Sequence, residues 1–244
     1  MSRILIIGES CTDVFHYGHC SRLCPEAPVP VFNSRDVIKN GGMALNTYNN
    51  ILALGGQANI LTNENWETIT KTRFVDKRAN HMFMRLDEND DAYGKCDLST
   101  IDLSSYDFVV VSDYDKGYLS EGDLYEISKL SKASIIDTKK ILGSWVEEFD
   151  FIKINNSEFE KTKHTINDKI KQKLIITQGP SGCTFRGVKF PVKLVEVKDT
   201  SGAGDTFVAA FSNKYADTNN VNESIEFANK CATIVVQKMG VASL

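Results

Sequence analysis

The feature that most constrains this chain is a run of small residues near its carboxyl end, Asp199-Thr200-Ser201-Gly202-Ala203-Gly204-Asp205. A short β-type run, Leu194–Val197, precedes it, and a predicted helix follows it. Gly202 and Gly204 carry no side chains, so the backbone can approach a ligand closely at these positions. The free N–H groups and the dipole at the start of a helix favour an anion. The run therefore predicts an anion-binding turn between a strand and a helix.

Asp205 occupies the same turn, where a carboxylate beside a bound anion is unfavourable unless it takes part in the chemistry. One such role is to accept the proton of a hydroxyl group that attacks a phosphoryl group held by the turn. A helix cap is the simpler interpretation of Thr, Ser and Asp residues near a helix start. Spacing alone does not decide between these two interpretations.

The composition limits the class of protein. A chain of 244 residues is long enough for one sizeable α/β domain. Its 42% hydrophobic and 25% charged residues are ordinary for a soluble globular protein. A formal net charge of −4 argues against general nucleic-acid binding, and no apolar run approaches the ~20 residues of a membrane span. We therefore expect neither a nucleic-acid partner nor a membrane partner.

The six cysteines are scattered along the chain and do not suggest a disulfide framework. Reduced thiols are usual in the cytoplasm, and the apolar run Ile4–Ile7 is too short for a signal peptide. We therefore expect a cytoplasmic protein. The spacing of His16, His19, Cys20 and Cys24 fits no usual zinc pattern, so no metal site is predicted there.

Strands and helices alternate along the chain, which predicts an α/β fold with a doubly wound, mainly parallel sheet. Apolar strand patterns occur at Arg3–Gly8, Ala58–Thr62, Asp107–Asp113, Ala133–Asp137, Phe151–Ile154 and Leu174–Thr177. Helices are predicted at Glu121–Leu130 and Ser224–Lys238, besides the helix after the Gly-rich run. Polar residues recur where the strands end, and in open α/β sheets ligands bind at that edge. They are Asp13, placed in the loop after the first strand, Asp113, Asp137, Asn155 and Thr177.

Two segments do not fit the main sheet. Prolines confine residues 14–38 to a sheet edge, and residues 71–87 alternate as strands do. We predict that these two segments form a small β lid, in which Val29–Val37 pairs with Thr72–Leu86. The apolar side chains of such a lid need cover, so we predict a homodimer through the lid.

A Gly-Gly pair precedes another predicted helix. Gly41-Gly42 is expected to form a turn in which the backbone can approach a ligand, with Asn46 on the first turns of the helix. This helix is expected to end at Leu54, before Gly55-Gly56.

These segments, in this order and across nearly the whole chain, resemble the ribokinase-type (PfkB) carbohydrate kinases. The run Asp199–Asp205 resembles their signature Asp-Thr-x-Gly-Ala-Gly-Asp. The string Ser21-Arg22-x-x-Pro25-Glu26-Ala27-Pro28-Val29-Pro30-Val31 resembles the members that phosphorylate D-glycero-D-manno-heptose 7-phosphate. The other segments that carry the resemblance are Asp13 with Tyr17-Gly18, Gly41-Gly42-x-Ala44-x-Asn46, Lys71-Thr72-Arg73, Arg85-Leu86-Asp87, Ser112-Asp113-Tyr114-x-Lys116-Gly117, Asp137-x-Lys139, Asn155-x-x-Glu158 and Thr177-x-Gly179.

The resemblance implies a single ribokinase-like domain over residues 1–244 and an ATP-dependent sugar kinase. It implies that Asp205 is the catalytic base and that Gly202, Ala203 and Gly204 form the anion hole. It implies substrate binding by Asp13, Gly41, Gly42, Asn46, Arg73, Arg85, Asp113 and Lys116. It places ATP at Asn155, Thr177, Gly179 and Asn229, with Mg²⁺ held by Glu158 through water. A monovalent cation near Asp199 is a further candidate ligand.

The resemblance also favours heptose 7-phosphate as the acceptor, phosphorylated at its anomeric hydroxyl. Such a substrate brings about −2 charge, which the guanidinium groups of Arg22, Arg73 and Arg85 suit. The chain departs from the family in two places. The segments Thr62–Thr70 and Phe159–Lys173 are both shorter than their counterparts usually are.

Two alternatives remain open from the sequence. Asp13, His16, Gly18 and His19 spell Asp-x-x-His-x-Gly-His, which resembles nucleotidyltransferases, although the prolines that follow do not suit their helix. The other alternative is a shortened pseudokinase that binds a sugar or nucleotide without turning it over. Retention of Asp205 argues against this second alternative, because a binding protein does not need the base.

Overall fold

Twelve strands and six helices make up the part of the chain that the computed structural model describes, residues 2–240 and 244. The strands are β1 (Arg3–Gly8), β2 (Ser10–Leu23), β3 (Pro30–Met43), β4 (Gln57–Leu61), β5 (Thr70–Asp76), β6 (His81–Glu88), β7 (Phe108–Asp113), β8 (Ser134–Thr138), β9 (Phe151–Asn155), β10 (Leu174–Thr177), β11 (Cys183–Phe185) and β12 (Val188–Phe190). The helices are α1 (Ala44–Ala53), α2 (Glu121–Leu130), α3 (Asn156–Thr162), α4 (Asp168–Lys173), α5 (Ala203–Thr218) and α6 (Val221–Val235). Short 3-10 turns lie at Trp66–Thr68, Leu98–Thr100, Leu103–Ser105, Ser144–Val146 and Gly179–Ser181.

The main sheet has eight strands in the order β12-β11-β10-β9-β8-β7-β1-β4. Strands β4, β1, β7, β8, β9 and β10 run parallel, and the hairpin β11–β12 adds two antiparallel strands at one edge. The predicted doubly wound, mainly parallel sheet is thus confirmed. Its carboxyl edge carries the ends of β8, β9 and β10, where Asp137, Asn155 and Thr177 lie.

Alternate residues of each parallel strand pack on opposite faces of the main sheet. On β1, Ile4 and Ile6 belong to the apolar layer under α1, α5 and α6, and Leu5 and Ile7 belong to the layer under α2 and α4. Full burial of each such side chain contributes about 1.5–3 kcal/mol. The two layers fix the helices on the sheet and place the first turn of α5 over its carboxyl edge.

A second sheet has the strand order β3-β2-β5-β6 and stands outside the main sheet. The chain enters it directly, because β1 ends at Gly8 and β2 begins at Ser10. Strand β2 pairs antiparallel with β3 and parallel with β5. The predicted pairing of Val29–Val37 with Thr72–Leu86 is therefore wrong, because β2 lies between them. Both segments belong to the second sheet. Val29–Val37 lies mostly in β3, which pairs with β2, and Thr72–Leu86 covers most of β5 and β6, which pair with each other.

Three local predictions also require correction. Asp13 lies within β2, where it pairs with Asn40 and Lys71, and not in a loop. Gly41 and Gly42 are the last extended residues of β3 and form no Gly-Gly turn; the backbone instead turns at Met43, whose φ is 60°. The run Leu194–Val197 forms no strand; Leu194, Val195 and Val197 line a cavity beside α5 and do not pair with the edge strand β12.

The helix boundaries follow the capping residues. Helix α2 spans the predicted Glu121–Leu130 because Ser120 and Asp123 form a capping box. Helix α6 begins at Val221, three residues before the predicted start, because the Asn220 side chain caps it. Among residues 2–240, no helix is long and apolar enough to cross a membrane.

Candidate active site

Asp205 is held in the first turn of α5 by side chains from two other elements. Its Oδ2 accepts a hydrogen bond from Asn46 Nδ2 of α1 at 2.8 Å. Its Oδ1 accepts one from the Tyr114 hydroxyl, in the loop after β7, at 2.7 Å. Asp205 is only 7% exposed, and it borders a cavity of about 450 Å³. The carboxylate is therefore oriented by both of its oxygens while it faces the cavity.

The surroundings of Asp205 set its basicity. Burial raises the pKa of Asp205 to about 6, and the hydrogen bonds from Asn46 and Tyr114 partly oppose that rise. Burial and the nearby Asp205 charge raise the pKa of Tyr114 well above its usual value, so this hydroxyl remains a donor. A carboxylate whose pKa lies near neutral pH suits a general base.

The turn before Asp205 has the backbone shape that the sequence predicts for an anion site. Gly202 caps α5 with φ 77°, a left-handed conformation that favours glycine. Gly202, Ala203 and Gly204 all line the cavity. The first N–H groups of a helix lack intrahelical acceptors. At the start of α5, Ala203 N donates to the Thr200 carbonyl at 3.3 Å, which leaves the N–H groups of Gly202, Gly204 and Asp205 for a ligand.

The same cavity brings together all four residues predicted to bind ATP, Asn155, Thr177, Gly179 and Asn229. They come from the ends of β9 and β10, from the turn after β10 and from α6. Asn229 is buried and donates to the Phe190 carbonyl at 2.9 Å, which anchors α6 against β12. The rest of the wall is largely apolar and is formed by Pro180, Val192, Leu194, Val195, Val197, Phe207, Ala232 and Val236.

Asp137, Lys139 and Lys153 line the polar end of the cavity, and three ion pairs join them to one another and to Glu158. Lys153 Nζ is 2.7 Å from Asp137 Oδ2, and both side chains are buried. Lys139 Nζ is 2.6 Å from Glu158 Oε1 and 3.5 Å from Asp137 Oδ1. Burial acts to raise the pKa of Asp137, but the ammonium groups of Lys153 and Lys139 outweigh it and hold that pKa below its usual value. Asp137 is therefore ionised, and its Oδ1 has no hydrogen-bond partner among the described residues.

Glu158, predicted to hold Mg²⁺ through water, is tied to Asn155. The two residues form a capping box at the start of α3: Glu158 N donates to Asn155 Oδ1 at 2.9 Å, and Asn155 N donates to Glu158 Oε2 at 2.7 Å. Together with the Lys139 pair, these bonds engage both oxygens of Glu158. Within residues 2–240, no three His, Cys, Asp or Glu side chains converge as ligands of a metal ion.

The residues predicted for the sugar lie on the other side of Asp205, and several contact one another. Arg73 of β5 forms an ion pair with Asp13 of β2, and both side chains are largely buried. A Cβ atom on Gly42 would collide with Asp13 Oδ2, so glycine is required where β3 passes this carboxylate. Gly41 precedes Gly42 on β3. Arg85 of β6 donates two hydrogen bonds to the Asp87 carboxylate, from Nε to Oδ1 and from Nη2 to Oδ2.

Lys116 joins the second sheet to the main sheet through Asp90. Asp90 accepts hydrogen bonds from Lys116 and from the buried Lys71 of β5, and also from the Tyr93 hydroxyl. Burial acts to raise the pKa of Asp90, but these donors outweigh it and lower that pKa to about 2. Asp113 is placed differently from the other predicted substrate residues: it is fully buried and bonded to Thr138 and Lys140, and it does not line the cavity.

Four residues of the site were not among the predicted functional residues: Tyr114, Asp137, Lys139 and Lys153. The first three stand in motifs that carry the family resemblance, so the sequence offered a signal for them. Lys153 lies in no such motif. Its signal is a charged residue inside the apolar run Phe151–Ile154, since lysine is rarely buried without a partner.

The structure does not support the nucleotidyltransferase alternative. His16, Gly18 and His19 lie on β2 of the second sheet, and not at the start of a helix, where they could meet a triphosphate. Asp199, the predicted neighbour of a monovalent cation, instead accepts hydrogen bonds from Ser201 N at 2.8 Å and Gly240 N at 3.1 Å.

Sequence comparison agrees with this arrangement. The profile described as pfkB family carbohydrate kinase matches residues 62–244. The chain is 29% identical over 299 aligned positions to the Bifunctional protein HldE of Sulfurimonas denitrificans, and 30% identical over 294 positions to that of Vibrio parahaemolyticus. These alignments cover 99% of this chain but only 62% and 61% of the two relatives. Each alignment has more positions than the 244 residues of this chain. Within the aligned region the relatives therefore contain segments that this chain lacks, in agreement with the predicted shortening.

The structure is similar to those of solved ribokinases. It matches the ribokinase of Thermotoga maritima with a TM-score of 0.72 and 17% identity, over 99% of this chain and 95% of the other. It matches the ribokinase of Arabidopsis thaliana, complexed with ribose and ATP, with a TM-score of 0.72 and 14% identity, over 98% of this chain and 94% of the other. These likenesses confirm the predicted ribokinase-like fold.

Proposed function

The chain belongs to the pfkB family of carbohydrate kinases, and we propose that it transfers the γ-phosphoryl group of ATP to a sugar that already carries a phosphate. Heptose 7-phosphate is the first candidate acceptor, with its anomeric hydroxyl as the attacking group. The observation that carries the proposal is the position of Asp205, which borders the anion-binding turn and is bonded to Asn46 from the acceptor side.

The proposed reaction uses Asp205 as a general base. As the acceptor oxygen bonds to the γ-phosphorus, its proton passes to Asp205. The bond from the γ-phosphorus to the oxygen shared with the β-phosphate breaks, and ADP leaves with that electron pair. The N–H groups of the turn Gly202–Gly204 stabilise the negative charge on the phosphoryl oxygens. With a pKa of about 6, Asp205 is mostly ionised at pH 7.5 and still basic enough to accept the proton.

The nucleotide is placed in the cavity beside this turn. The apolar wall around Val195 and Val236 suits a purine ring, and Thr177, Gly179 and Asn229 flank it. The phosphates then extend towards the first turn of α5, where helix N–H groups favour anions. The ribokinase of Arabidopsis thaliana, which has a similar fold, was solved with ribose and ATP, and this supports the same use of the cavity.

The carboxylates at the polar end of the cavity fit a Mg²⁺ ion bound mainly through water and phosphate oxygens. Asp137 Oδ1, which lacks a hydrogen-bond partner among the described residues, and the Glu158 carboxylate are the groups that would hold such an ion. Both carboxylates are already paired with lysine, so a site built from protein ligands alone is not expected. When bound, the ion supplies positive charge to the leaving phosphates.

The acceptor side carries four cationic side chains. Four cations (Lys71, Arg73, Arg85 and Lys116) lie among three carboxylates (Asp13, Asp87 and Asp90). A sugar phosphate brings about −2 charge, and guanidinium groups can bind it with two hydrogen bonds. The Asp13 carboxylate can then accept hydrogen bonds from sugar hydroxyls, and the Asn46 amide can accept or donate them.

The test is a coupled ADP-release assay over a panel of acceptors, with products identified by phosphorus NMR. The panel contains heptose 7-phosphate, fructose 6-phosphate, ribose, fructose and adenosine. We expect the highest kcat/KM for a phosphorylated sugar. If ribose, fructose or adenosine is the better acceptor, the proposed substrate class is wrong. If ATP binds but no acceptor is phosphorylated, the chain is the binding-only protein of the alternative.

A further inference from the structure

Lys153 stands out because a charged side chain occupies the middle of a buried parallel strand. Its neighbours on β9, Ile152 and Ile154, are almost fully buried, and the Lys153 side chain is only 3% exposed. Removing an ammonium group from water is costly unless a partner compensates the charge. An aliphatic residue would fill this strand position without that cost, so the charge itself needs an explanation.

The side chain reaches the anion-binding turn of α5. On β9, Lys153 points to the face that carries α5, as Phe151 does. A Cβ atom built on Gly204 would lie 2.9 Å from Lys153 Nζ and 3.8 Å from Asp137 Oδ2. The ammonium group therefore sits directly against the backbone of Gly204 and borders the same cavity as Asp205.

The ammonium group also has hydrogen-bonding capacity to spare. An ammonium carries three N–H donors. Among the residues that the structure describes, Lys153 Nζ donates to Asp137 Oδ2 at 2.7 Å. Lys153 lines the cavity, so its remaining donors are available to an anion bound beside the turn. Asp137 thus holds the ammonium at the turn without using all of its donors.

We propose that Lys153 is a catalytic residue that binds the phosphoryl group during its transfer, with Asp137 holding it in place. The proposal rests on the proposed kinase function. Lys153 keeps its proton throughout: the hydroxyl proton passes to Asp205, the new oxygen–phosphorus bond forms, and the bond to ADP breaks. The ammonium contributes fixed positive charge where the phosphoryl oxygens gather negative charge, beside the N–H groups of the turn.

The competing explanation is that Lys153 only neutralises the buried Asp137. The two explanations differ in what a double substitution does. If Lys153 acts only on Asp137, removing its charge leaves that carboxylate with Lys139 as its remaining cationic partner, and Asp137→Asn should restore the phosphate binding, measured without Mg²⁺, that Lys153→Met loses. If Lys153 acts on the phosphoryl group, the double variant remains as impaired as Lys153→Met, because the phosphate contact is still missing.

The experiment compares wild type with Lys153→Met, Lys153→Gln and the double variant Lys153→Met/Asp137→Asn. Lys189→Met, an exposed lysine of β12, is the matched control. We expect kcat to fall about 10²–10³-fold in both Lys153 variants, as for loss of one oxyanion donor, with KM for the acceptor within about 3-fold. Folding of each variant is checked by circular dichroism. If Lys153→Met is unfolded, Lys153→Gln replaces it in the comparison, because the glutamine amide can still donate a hydrogen bond to Asp137.

A binding measurement separates this proposal from the kinase proposal. Calorimetry with inorganic tripolyphosphate and with ADP should show at least about 10-fold weaker tripolyphosphate binding in the Lys153 variants, with ADP affinity within about 3-fold. This result stands even if wild type phosphorylates no acceptor, in which case the kinase proposal alone fails. Unchanged kcat together with unchanged tripolyphosphate binding overturns the role of Lys153. So does recovery of tripolyphosphate binding, measured without Mg²⁺, in the double variant.

Discussion

Three residues decide how basic the site is. Asp205 is buried, and Asn46 and Tyr114 each donate one hydrogen bond to its carboxylate. Burial favours the protonated carboxyl and the donors favour the ionised form, so the raised pKa of about 6 is the balance of the two effects. Because a general base works in its ionised form, activity should be lost as the pH falls through about 6.

Replacing Tyr114 by phenylalanine tests this balance. Loss of one donor to the carboxylate should raise the pKa of Asp205 further, by about one unit for a hydrogen bond to a charged group. The acidic limb of the kcat/KM profile should therefore move to higher pH, and activity at pH 8.5 should change little. The profile is measured between pH 5 and 9, with the exposed Tyr125→Phe as control. A limb that stays in place, or moves to lower pH, contradicts the role of Tyr114.

At this scale the sequence predicted the site well where a motif covers it. The motifs predict Asp205, Asn46 and the cavity residues Asn155, Thr177, Gly179 and Asn229. In the structure Asn46 bonds to Asp205, and Asp205 lines the same cavity as the other four. Lys153 interrupts an apolar run, which indicates a buried charge, but the sequence does not reveal that its partner is Asp137 of another strand. Asp113 was selected by its place in a motif, and only the structure reveals that Lys140 and Thr138 engage it.

At the scale of elements, the second sheet supplies the acceptor side with charge. Strands β2 and β5 bring Asp13 and Arg73 together, and β6 adds Arg85. Lys71 reaches Asp90, which in turn binds Lys116 from the loop after β7. This chain of ion pairs connects the second sheet to the main sheet beside Asp205.

Arg73→Ala tests the part of β5 in acceptor binding. We expect KM for the sugar phosphate to rise at least about 10-fold while KM for ATP stays within about 3-fold, because a charged hydrogen-bonded contact is lost on one substrate only. Arg35→Ala, at an exposed position of β3 in the same sheet, should change neither value. Thermal unfolding is measured in parallel, since Asp13 loses its ion-pair partner. Equal rises of both KM values, or no rise, contradict the assignment.

The order of the strands was the least predictable property of the elements. Local patterns indicated that residues 14–38 and 71–87 lie outside the main sheet, and they do. That β2 lies between β3 and β5 depends on pairs such as Asp13 with Lys71, which are far apart in sequence. The run Leu194–Val197 has a strand pattern, but Leu194, Val195 and Val197 line the cavity, a tertiary contact that the local pattern does not reveal.

For the whole molecule, the exposed apolar residues of the second sheet are its most unusual surface. They are Leu23, Val37, Ile38, Met82, Phe83, Met84 and Leu86. Apolar patches of this kind commonly mark an interface, and self-association is the simplest way to cover a patch on every copy. We therefore propose that the protein forms a homodimer through the second sheet.

Light scattering at micromolar concentration should give the mass of a dimer. Met84→Glu places a charge within the patch and should give a monomer, while Leu130→Glu, at an exposed position of α2, should remain a dimer. A monomeric wild type contradicts the proposal. So does a dimer that Met84→Glu leaves intact, because the interface would then lie elsewhere.

The central claim is that Asp205 accepts the proton of the acceptor hydroxyl during phosphoryl transfer from ATP. The most direct measurement is kcat of Asp205→Asn against wild type, with the best acceptor of the panel and saturating ATP. We expect kcat to fall at least about 10²-fold, as for loss of a general base, with ATP affinity by calorimetry nearly unchanged. An Asp205→Asn variant that folds, binds ATP and keeps near wild-type turnover would contradict the account.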